Sequence, residues 1–197
     1  MKTDSPVRSP CPGLNNLANH GYLPRSGKNI DIDTFRVAIK EAFNYDANSL
    51  DFAFQQAIDF KLTTTGNPQT INLDDLTKHD TIEFDGSLSR NDFFFGDDLH
   101  FNPQIWATTA ERLRLYDYGP DKKDAYVTIE AAAKARAARV QDAMKANPQF
   151  NASEAQAQGS PGTTALYLTT LWDADAGAAP KAWVQSFFGR SCLELVI

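Results

Sequence analysis

Cysteine and histidine are scarce in this chain. Only two cysteines and three histidines occur among its 197 residues. Cys11 and Cys192 lie near opposite ends of the sequence, so disulfide bonds make a poor framework for the fold. A structural zinc ion needs about four cysteine or histidine ligands at short spacings, and the sequence contains no such spacing. These observations argue against a small domain stabilised by disulfides or by zinc.

Long hydrophobic runs and clustered positive charge are missing as well. No run of about eighteen apolar residues occurs, so we expect no membrane-spanning helix. The 19 Lys and Arg residues stand against 25 Asp and Glu residues and form no cluster, so we expect no nucleic-acid partner. The first residues, MKTDSPVRSP, lack the apolar core of a signal peptide. We therefore expect an intracellular protein, or a secreted one if Met1 is not its natural start.

Helical patterns dominate the rest of the chain. Apolar residues recur at helical spacing, with Asp33 as the predicted N-cap of the second helix along the chain. After a short N-terminal helix, helices are predicted in seven segments, which are residues 31–45, 49–62, 72–80, 102–116, 125–146, 163–172 and 180–188. Strand signals are weak, because no alternating β-branched run lies between hairpin turns. The sequence predicts an all-α fold with long loops and a single domain over residues 1–197.

One cysteine has an unusual setting, because it lies between two prolines as Pro10-Cys11-Pro12. Pro12 suits the first position of a helix, since its φ is fixed and it has no N–H to leave unpaired. Cys11 would then be the N-cap, where first-turn amides pointing at its sulfur and the helix dipole would stabilise a thiolate. A disulfide with Cys192 and a buried thiol are weaker interpretations. A thiolate could attack a substrate beside a histidine, or bind a soft metal, and heme iron needs only one protein thiolate.

Three segments resemble the fungal heme-thiolate peroxidases, that is, chloroperoxidase and the unspecific peroxygenases, especially their short forms. Residues 9–30, SPCPGLNNLANHGYLPRSGKNI, are similar to the proximal loop of that family. Residues 73–98 are similar to its Glu-x-Asp-x-Ser segment and contain Glu83-Phe84-Asp85-Gly86-Ser87. Residues 147–171 are similar to its distal segment. The resemblance covers most of the chain and implies the helical heme-thiolate peroxidase fold, called chloroperoxidase-like.

The resemblance also implies two bound groups. Cys11 would be the thiolate ligand of a heme b iron, with Pro10, Pro12 and Phe84 also at the heme. A Mg²⁺ or Mn²⁺ ion next to a heme propionate would be held by Glu83, by the backbone carbonyl of Phe84 and by Ser87. Hard oxygen ligands of this kind suit Mg²⁺. Without the resemblance, Glu83 and the nearby Asp85 would be interpreted as a solvated acidic loop.

Two positions depart from the family pattern. Phe84 stands where the family often has His or Gly, which a backbone carbonyl ligand tolerates and a distal histidine role does not. Thr163, in GTTALYL, stands where the family has its acid–base glutamate. A threonine hydroxyl can hold a water molecule but cannot act as a base at neutral pH. Glu154, nine residues earlier, is the alternative acid–base residue, if it reaches in from a loop.

The predicted function follows from the resemblance. We expect a heme-thiolate peroxidase or peroxygenase, an oxidoreductase that uses hydrogen peroxide to oxidise or oxygenate small organic substrates. The alternative is a heme-binding pseudo-enzyme, or a protein of a secondary-metabolite pathway, with weak peroxide activity because the distal glutamate is replaced. A heme-free helical interaction protein would leave the Pro-Cys-Pro motif without a reason. Cys192 is the residue through which a homodimer could form.

Overall fold

The fold is known from a computed structural model that describes residues 5–117, 124–150 and 154–189, with the side chains of residues 154–158 excepted. Backbone contacts divide the chain into two compact units, Met1–Glu83 and Phe84–Ile197. Each unit has its own hydrophobic core. The single domain over residues 1–197 stays a prediction.

The first unit contains three α-helices and one 3₁₀ turn within its described residues. They are α1 (Pro12–His20), α2 (Ile32–Phe43), α3 (Asp51–Asp59) and the 3₁₀ helix Leu73–Thr77. The predicted N-cap of α2 was wrong by two residues. The side chain of Asp31, not Asp33, accepts a hydrogen bond from the backbone N–H of Thr34 at 2.8 Å. Both aspartates satisfy the N-cap preference, and only the local backbone decides which one lies at the end of the helix.

The core of the first unit lies where these helices present their apolar faces. Leu17, Ile39 and Phe54 are buried at the centre of this cluster. The rings of Phe35 and Phe54 lie 5.5 Å apart at a tilted angle, an arrangement that adds about 0.5–1.5 kcal/mol beyond the apolar area that the rings bury. Backbone hydrogen bonds of 2.9 Å between Ile30 and Ile71 join the loops after α1 and α3. This packing fixes the ends of α1 and of the loop before it.

The second unit contains four further α-helices and a short antiparallel pair of strands within its described residues. They are α4 (Pro103–Arg112), β1 (Tyr126–Val127), α5 (Ile129–Ala146), α6 (Glu154–Thr170), β2 (Ala179–Pro180) and α7 (Lys181–Gly189), after a 3₁₀ turn at Phe93–Phe95. Asn102 caps α4 as predicted, with Pro103 at the first helical position. The side chain of Thr128 caps α5. With strands of only two residues each, the all-α prediction is confirmed.

Helix α6 begins earlier than the sequence predicts. The prediction placed its start at Thr163, after a segment with Gly159, Pro161 and Gly162. In the structure the helix runs from Glu154 through Pro161 to Thr170. Proline inside a helix removes one backbone hydrogen bond, and glycine lowers helix propensity. Tertiary contacts of α6 with α5 and with Phe84, described below, override this local preference.

The core of the second unit contains an aromatic cluster together with buried arginines. Trp106 stacks on Phe188 with ring centroids 5.3 Å apart, and Tyr167 meets the edge of Phe188 at 5.2 Å. The inward face of α5 carries small alanines together with Arg136 and Arg139, both buried. Within the described ranges, no helix has the length and apolar character needed to cross a membrane.

Candidate functional site

Cys11 is the N-cap of α1, as the sequence predicts. Its backbone is extended, with φ −83° and ψ 115°, and Pro12 follows at the first helical position. The thiol is free and exposed, so the interpretation as a buried thiol was wrong. The expectation that first-turn amides bond the sulfur was also wrong, because the side chain makes no capping hydrogen bond. A thiol is a weak acceptor, and its sulfur stays open to solvent.

A network of buried polar groups fixes the loop that carries Cys11. The backbone N–H of Ser9 donates to Asn15 Oδ1 at 2.8 Å, and Asn15 Nδ2 donates back to the carbonyl of Ser9 at 2.8 Å. The backbone N–H of Cys11 donates to Ser9 Oγ at 3.1 Å. Ser9 is fully buried and Asn15 nearly so. Pro10 lies between Ser9 and Cys11, and these hydrogen bonds tie Ser9 to Asn15 of α1. The position of the Cys11 backbone is therefore determined by α1 itself.

Glu83 is a buried acid with a histidine partner. Its side chain is 6% exposed, and its Oε2 lies 2.8 Å from Nδ1 of His79. The interpretation of Glu83 and Asp85 as a solvated acidic loop was wrong, because both residues are buried. Asp85 accepts hydrogen bonds from the backbone N–H of Phe93 at 3.0 Å and from Asn147 Nδ2 at 2.9 Å. Asp85 thus has a structural function, while Glu83 keeps a carboxylate that can bind a cation.

Phe84 lies against helix α6. A β-carbon placed on Gly159 would lie 2.6 Å from Cε1 of the Phe84 ring, nearer than real Cβ contacts come. Glycine at position 159 is therefore what allows the ring to touch the helix. This contact explains why glycine stands inside α6 despite its cost in helix propensity.

Replacing Gly159 by alanine is expected to push the Phe84 ring out of place. Gly162 in the same helix has no atom within 4 Å of the position that a β-carbon would take, so Gly162→Ala is the matched control. Both substitutions gain about 1 kcal/mol of helix propensity, and only Gly159→Ala adds overpacking of about 1–3 kcal/mol. Urea unfolding should show Gly159→Ala less stable than Gly162→Ala by that difference. Equal stabilities, or a difference that persists in a Phe84→Ala background, would contradict the contact.

Ser87 and the loop around it are held by a buried ion pair. Arg139 Nη2 donates to Asp92 Oδ1 at 2.6 Å, and both side chains are less than a tenth exposed. Arg139 Nε donates to the backbone carbonyl of Ser87 at 2.8 Å, and the backbone N–H of Gly86 donates to Asp92 Oδ1 at 3.1 Å. Asn147 Nδ2 lies 3.4 Å from Asp92 Oδ2. The Ser87 carbonyl thus accepts from arginine, and the Ser87 hydroxyl accepts from the backbone N–H of Ser89 at 3.3 Å.

Thr163 lies on α6 beside a second buried arginine. Its Oγ1 donates to the carbonyl of Ser160 at 3.0 Å and accepts from Arg136 Nη2 at 3.3 Å. Arg136 also donates through Nε to Thr164 Oγ1 at 2.9 Å and through Nη1 to the carbonyl of Gly86 at 2.8 Å. Burial lowers the pKa of Arg136 to about 10. The guanidinium therefore stays charged at neutral pH.

The predicted site residues are divided between the two units. Cys11 and Glu83 belong to the first unit, and Phe84, Ser87 and Thr163 belong to the second. Glu154 is the first residue of α6 and not part of a loop; its side chain and the whole of Cys192 lie outside the described residues. Nothing supports the predicted homodimer through Cys192.

Sequence reasoning missed the two buried arginines of α5. The segment KARAARV indicated only a helix of high propensity. A signal was nevertheless present, because Arg136 and Arg139 lie on the same helical stripe as Ala132, Ala135 and Ala143. Small residues mark the stripe that packs closely, and charges on it are buried and need partners.

Comparison with known proteins places the chain among fungal peroxidases. The family described as "Peroxidase, family 2" matches residues 2–194. An aromatic peroxygenase of Cyclocybe aegerita is 33% identical over 160 residues, which are 74% of this chain and 41% of that protein. An aromatic peroxygenase of Coprinellus radians is 33% identical over 162 residues, 74% of this chain and 59% of that protein. A chloroperoxidase of Leptoxyphium fumago is 31% identical over 120 residues, 55% of this chain and 32% of that protein.

The matched region is shorter than these relatives. The chain spans 41% and 59% of the lengths of the two aromatic peroxygenases. It carries the Pro-Cys-Pro loop, the Glu83 segment and the α6 segment in order.

Proposed function

The chain belongs to peroxidase family 2, and from this premise we propose that it is a heme-thiolate oxidoreductase. It uses hydrogen peroxide to oxidise or oxygenate small organic molecules. The observation that carries the proposal is Cys11, a free and exposed thiol fixed between two prolines at the start of α1. The all-α fold agrees with the chloroperoxidase-like architecture that the resemblance implied. The names of the relatives, aromatic peroxygenase and chloroperoxidase, support peroxide as the co-substrate.

The residues around Cys11 fit a heme iron ligand. An exposed sulfur without a capping hydrogen bond can bind a metal without displacing a protein contact. The hydrogen bonds between Ser9 and Asn15 hold the backbone on either side of Cys11. Heme iron with a thiolate ligand supplies the cleavage of the peroxide O–O bond. In this proposal Pro10 and Pro12 lie at the heme on either side of Cys11, as the resemblance implies.

The donor types that the resemblance assigns to the cation suit a hard divalent ion. Glu83 offers a buried carboxylate, Phe84 a backbone carbonyl and Ser87 a hydroxyl or a carbonyl. Mg²⁺ prefers oxygen ligands and keeps several water molecules, and Mn²⁺ accepts the same ligand types. His79, at 2.8 Å from Glu83, would orient the carboxylate as outer partners of metal ligands do. The cation would anchor a heme propionate, as the resemblance implies.

The weakest part of the proposed enzyme is its acid–base residue for the activation of peroxide. The single proton of the Thr163 hydroxyl is already donated to the Ser160 carbonyl. Independently of this hydrogen bond, a neutral hydroxyl is far too weak a base to take a proton from peroxide. Glu154 stays the alternative acid–base residue. A positioned acid–base group is worth about 10²–10⁴-fold in rate, so we propose that this chain activates peroxide slowly.

The second candidate function follows from the same observation. With threonine at position 163, the chain would bind heme and do little peroxide chemistry, as a pseudo-enzyme or as a protein acting on a pathway intermediate. Its fold, Cys11 and the Glu83 site would serve heme binding alone.

One experiment separates the two functions. The heme-loaded protein is mixed with hydrogen peroxide and a phenolic dye, and separately with ¹⁸O-labelled peroxide and an aromatic hydrocarbon. Free heme at the same concentration is the control, since it has its own background activity. Turnover above free heme, with label in the product, is the expected result. Heme uptake with turnover no higher than free heme would support the pseudo-enzyme, and failure to bind heme would refute both.

A further inference from the structure

Two arginines are buried one turn apart on α5, and only one has an acidic partner among the residues that the structure describes. Arg139 pairs with Asp92 at 2.6 Å. Arg136, one turn earlier, bonds only to neutral oxygens among the described residues, which are those of Thr163, Thr164 and Gly86. A buried charge without a countercharge is costly in free energy. Within the described part of the second unit, Arg136 is therefore a cation without a counterion of its own.

The guanidinium still has hydrogen-bonding capacity. Arginine carries five N–H donors, and the described contacts account for one on Nε, one on Nη1 and one on Nη2. One N–H on each terminal nitrogen therefore has no acceptor among them. Two parallel donors on the terminal nitrogens match the two oxygens of a carboxylate. The longest of the three contacts, 3.3 Å to Thr163, is the one that an anion would displace most easily.

The face of α6 that contains Thr163 carries further unused polar atoms. Ser160 Oγ and Tyr167 OH are buried and have no hydrogen-bond partner within the described structure. They lie three residues before and four residues after Thr163, and so on the same side of the helix as Thr163 and Thr164. Thr163 itself is exposed. Of the three residues that Arg136 contacts, Thr163 is exposed while Thr164 and Gly86 are buried, so we expect an anion to approach Arg136 from the side of Thr163.

We propose that Arg136, beside Thr163, forms a binding site for a small carboxylate anion such as formate. The anion accepts hydrogen bonds from the guanidinium and supplies the missing countercharge. The site depends only on α5, α6 and the Gly86 carbonyl. It is independent of whether the protein carries heme.

A consequence for chemistry rests on the function proposed above. A carboxylate held next to Thr163 occupies the place where the family has its acid–base glutamate. With heme bound, which would supply cleavage of the peroxide O–O bond, the carboxylate would accept a proton from one oxygen of hydrogen peroxide and return it to the other oxygen, which leaves as water, so that the carboxylate is regenerated unchanged. Formate would then act as an external replacement for the side chain that this sequence lacks.

The test measures the melting temperature of the heme-free protein as sodium formate replaces sodium chloride at constant ionic strength. We expect formate to raise the melting temperature by about 2–4 °C. Thr163→Glu supplies a tethered carboxylate, so this variant should melt higher than Thr163→Gln and no longer respond to formate. Equal melting temperatures of the wild type in the two salts, or Thr163→Glu melting no higher than Thr163→Gln, would overturn the site.

A second measurement keeps this site distinguishable from the proposed function. In the heme-loaded protein, formate should raise peroxide turnover in the wild type and leave Thr163→Glu unchanged. Formate stabilisation without a gain in turnover would leave the anion site standing and refute the assignment of position 163 to peroxide activation. If formate produced neither stabilisation nor a gain in turnover, the anion site itself would be refuted.

Discussion

Replacing Thr163 by glutamate is expected to raise peroxide-dependent turnover of the heme-loaded protein by about 10²–10⁴-fold. The substitution places a carboxylate at the position of the family's acid–base glutamate. Arg136 Nη2 lies 3.3 Å from Thr163 Oγ1, so the guanidinium can hold that carboxylate in its ionised, proton-accepting form. Thr163→Gln is the matched control, since it has the same size without a basic oxygen.

The measurement is the initial rate of phenol oxidation at saturating peroxide, per bound heme. Thr163→Gln should stay near the wild-type rate. A gain in Thr163→Glu that is no larger than the gain in Thr163→Gln would contradict the assignment of position 163. Normalising to bound heme separates this effect from any change in heme affinity.

The second large effect is expected on stability. Asp92→Asn leaves Arg139 buried without its countercharge while it keeps the size of the side chain. Breaking a buried ion pair in this way costs about 3–5 kcal/mol. The loop that carries Ser87 and Asp85 should lose its fixed position together with this pair, because Asp92 also accepts the N–H of Gly86.

The chain offers a matched control for this substitution. Arg112 Nη2 and Asp142 Oδ2 also lie 2.6 Å apart, but their side chains are 28% and 46% exposed. An exposed pair contributes about 0–1 kcal/mol, so Asp142→Asn should be nearly neutral. Urea unfolding measures the change in the free energy of unfolding for each variant, provided that the slope of this free energy against urea concentration is unchanged. Equal shifts of the two urea midpoints would contradict the view that burial determines how much each ion pair contributes to the free energy of unfolding.

Local features of this fold were predictable from the sequence. Pro12 and Pro103 predicted the starts of α1 and α4, because proline suits the first helical position regardless of what the helix packs against. The N-cap of α2 was misplaced because Asp31 and Asp33 carry the same local signal. The start of α6 was misplaced for a different reason. Its Gly-Ser-Pro-Gly segment predicts a break, and tertiary contacts override it, among them the contact between Gly159 and Phe84, 75 residues apart in sequence.

The candidate site was predictable only where a motif carried it. The Pro-Cys-Pro motif pointed to Cys11, and the resemblance pointed to Glu83 and Thr163. The pairing of Arg139 with Asp92 and the three neutral partners of Arg136 were not predictable. These contacts join residues 27 to 50 positions apart. The periodicity of a single segment does not predict a partner so distant in sequence.

The proposed heme-thiolate function depends most on the thiolate of Cys11. The direct measurement is the absorption spectrum of the heme-loaded protein after reduction and addition of carbon monoxide, recorded for the wild type, Cys11→Ala and Cys192→Ala. We predict a Soret band shifted well to the red in the wild type and in Cys192→Ala, and its loss in Cys11→Ala. The same red-shifted band in all three proteins, or no bound heme in the wild type, would contradict the ligation of heme iron by Cys11.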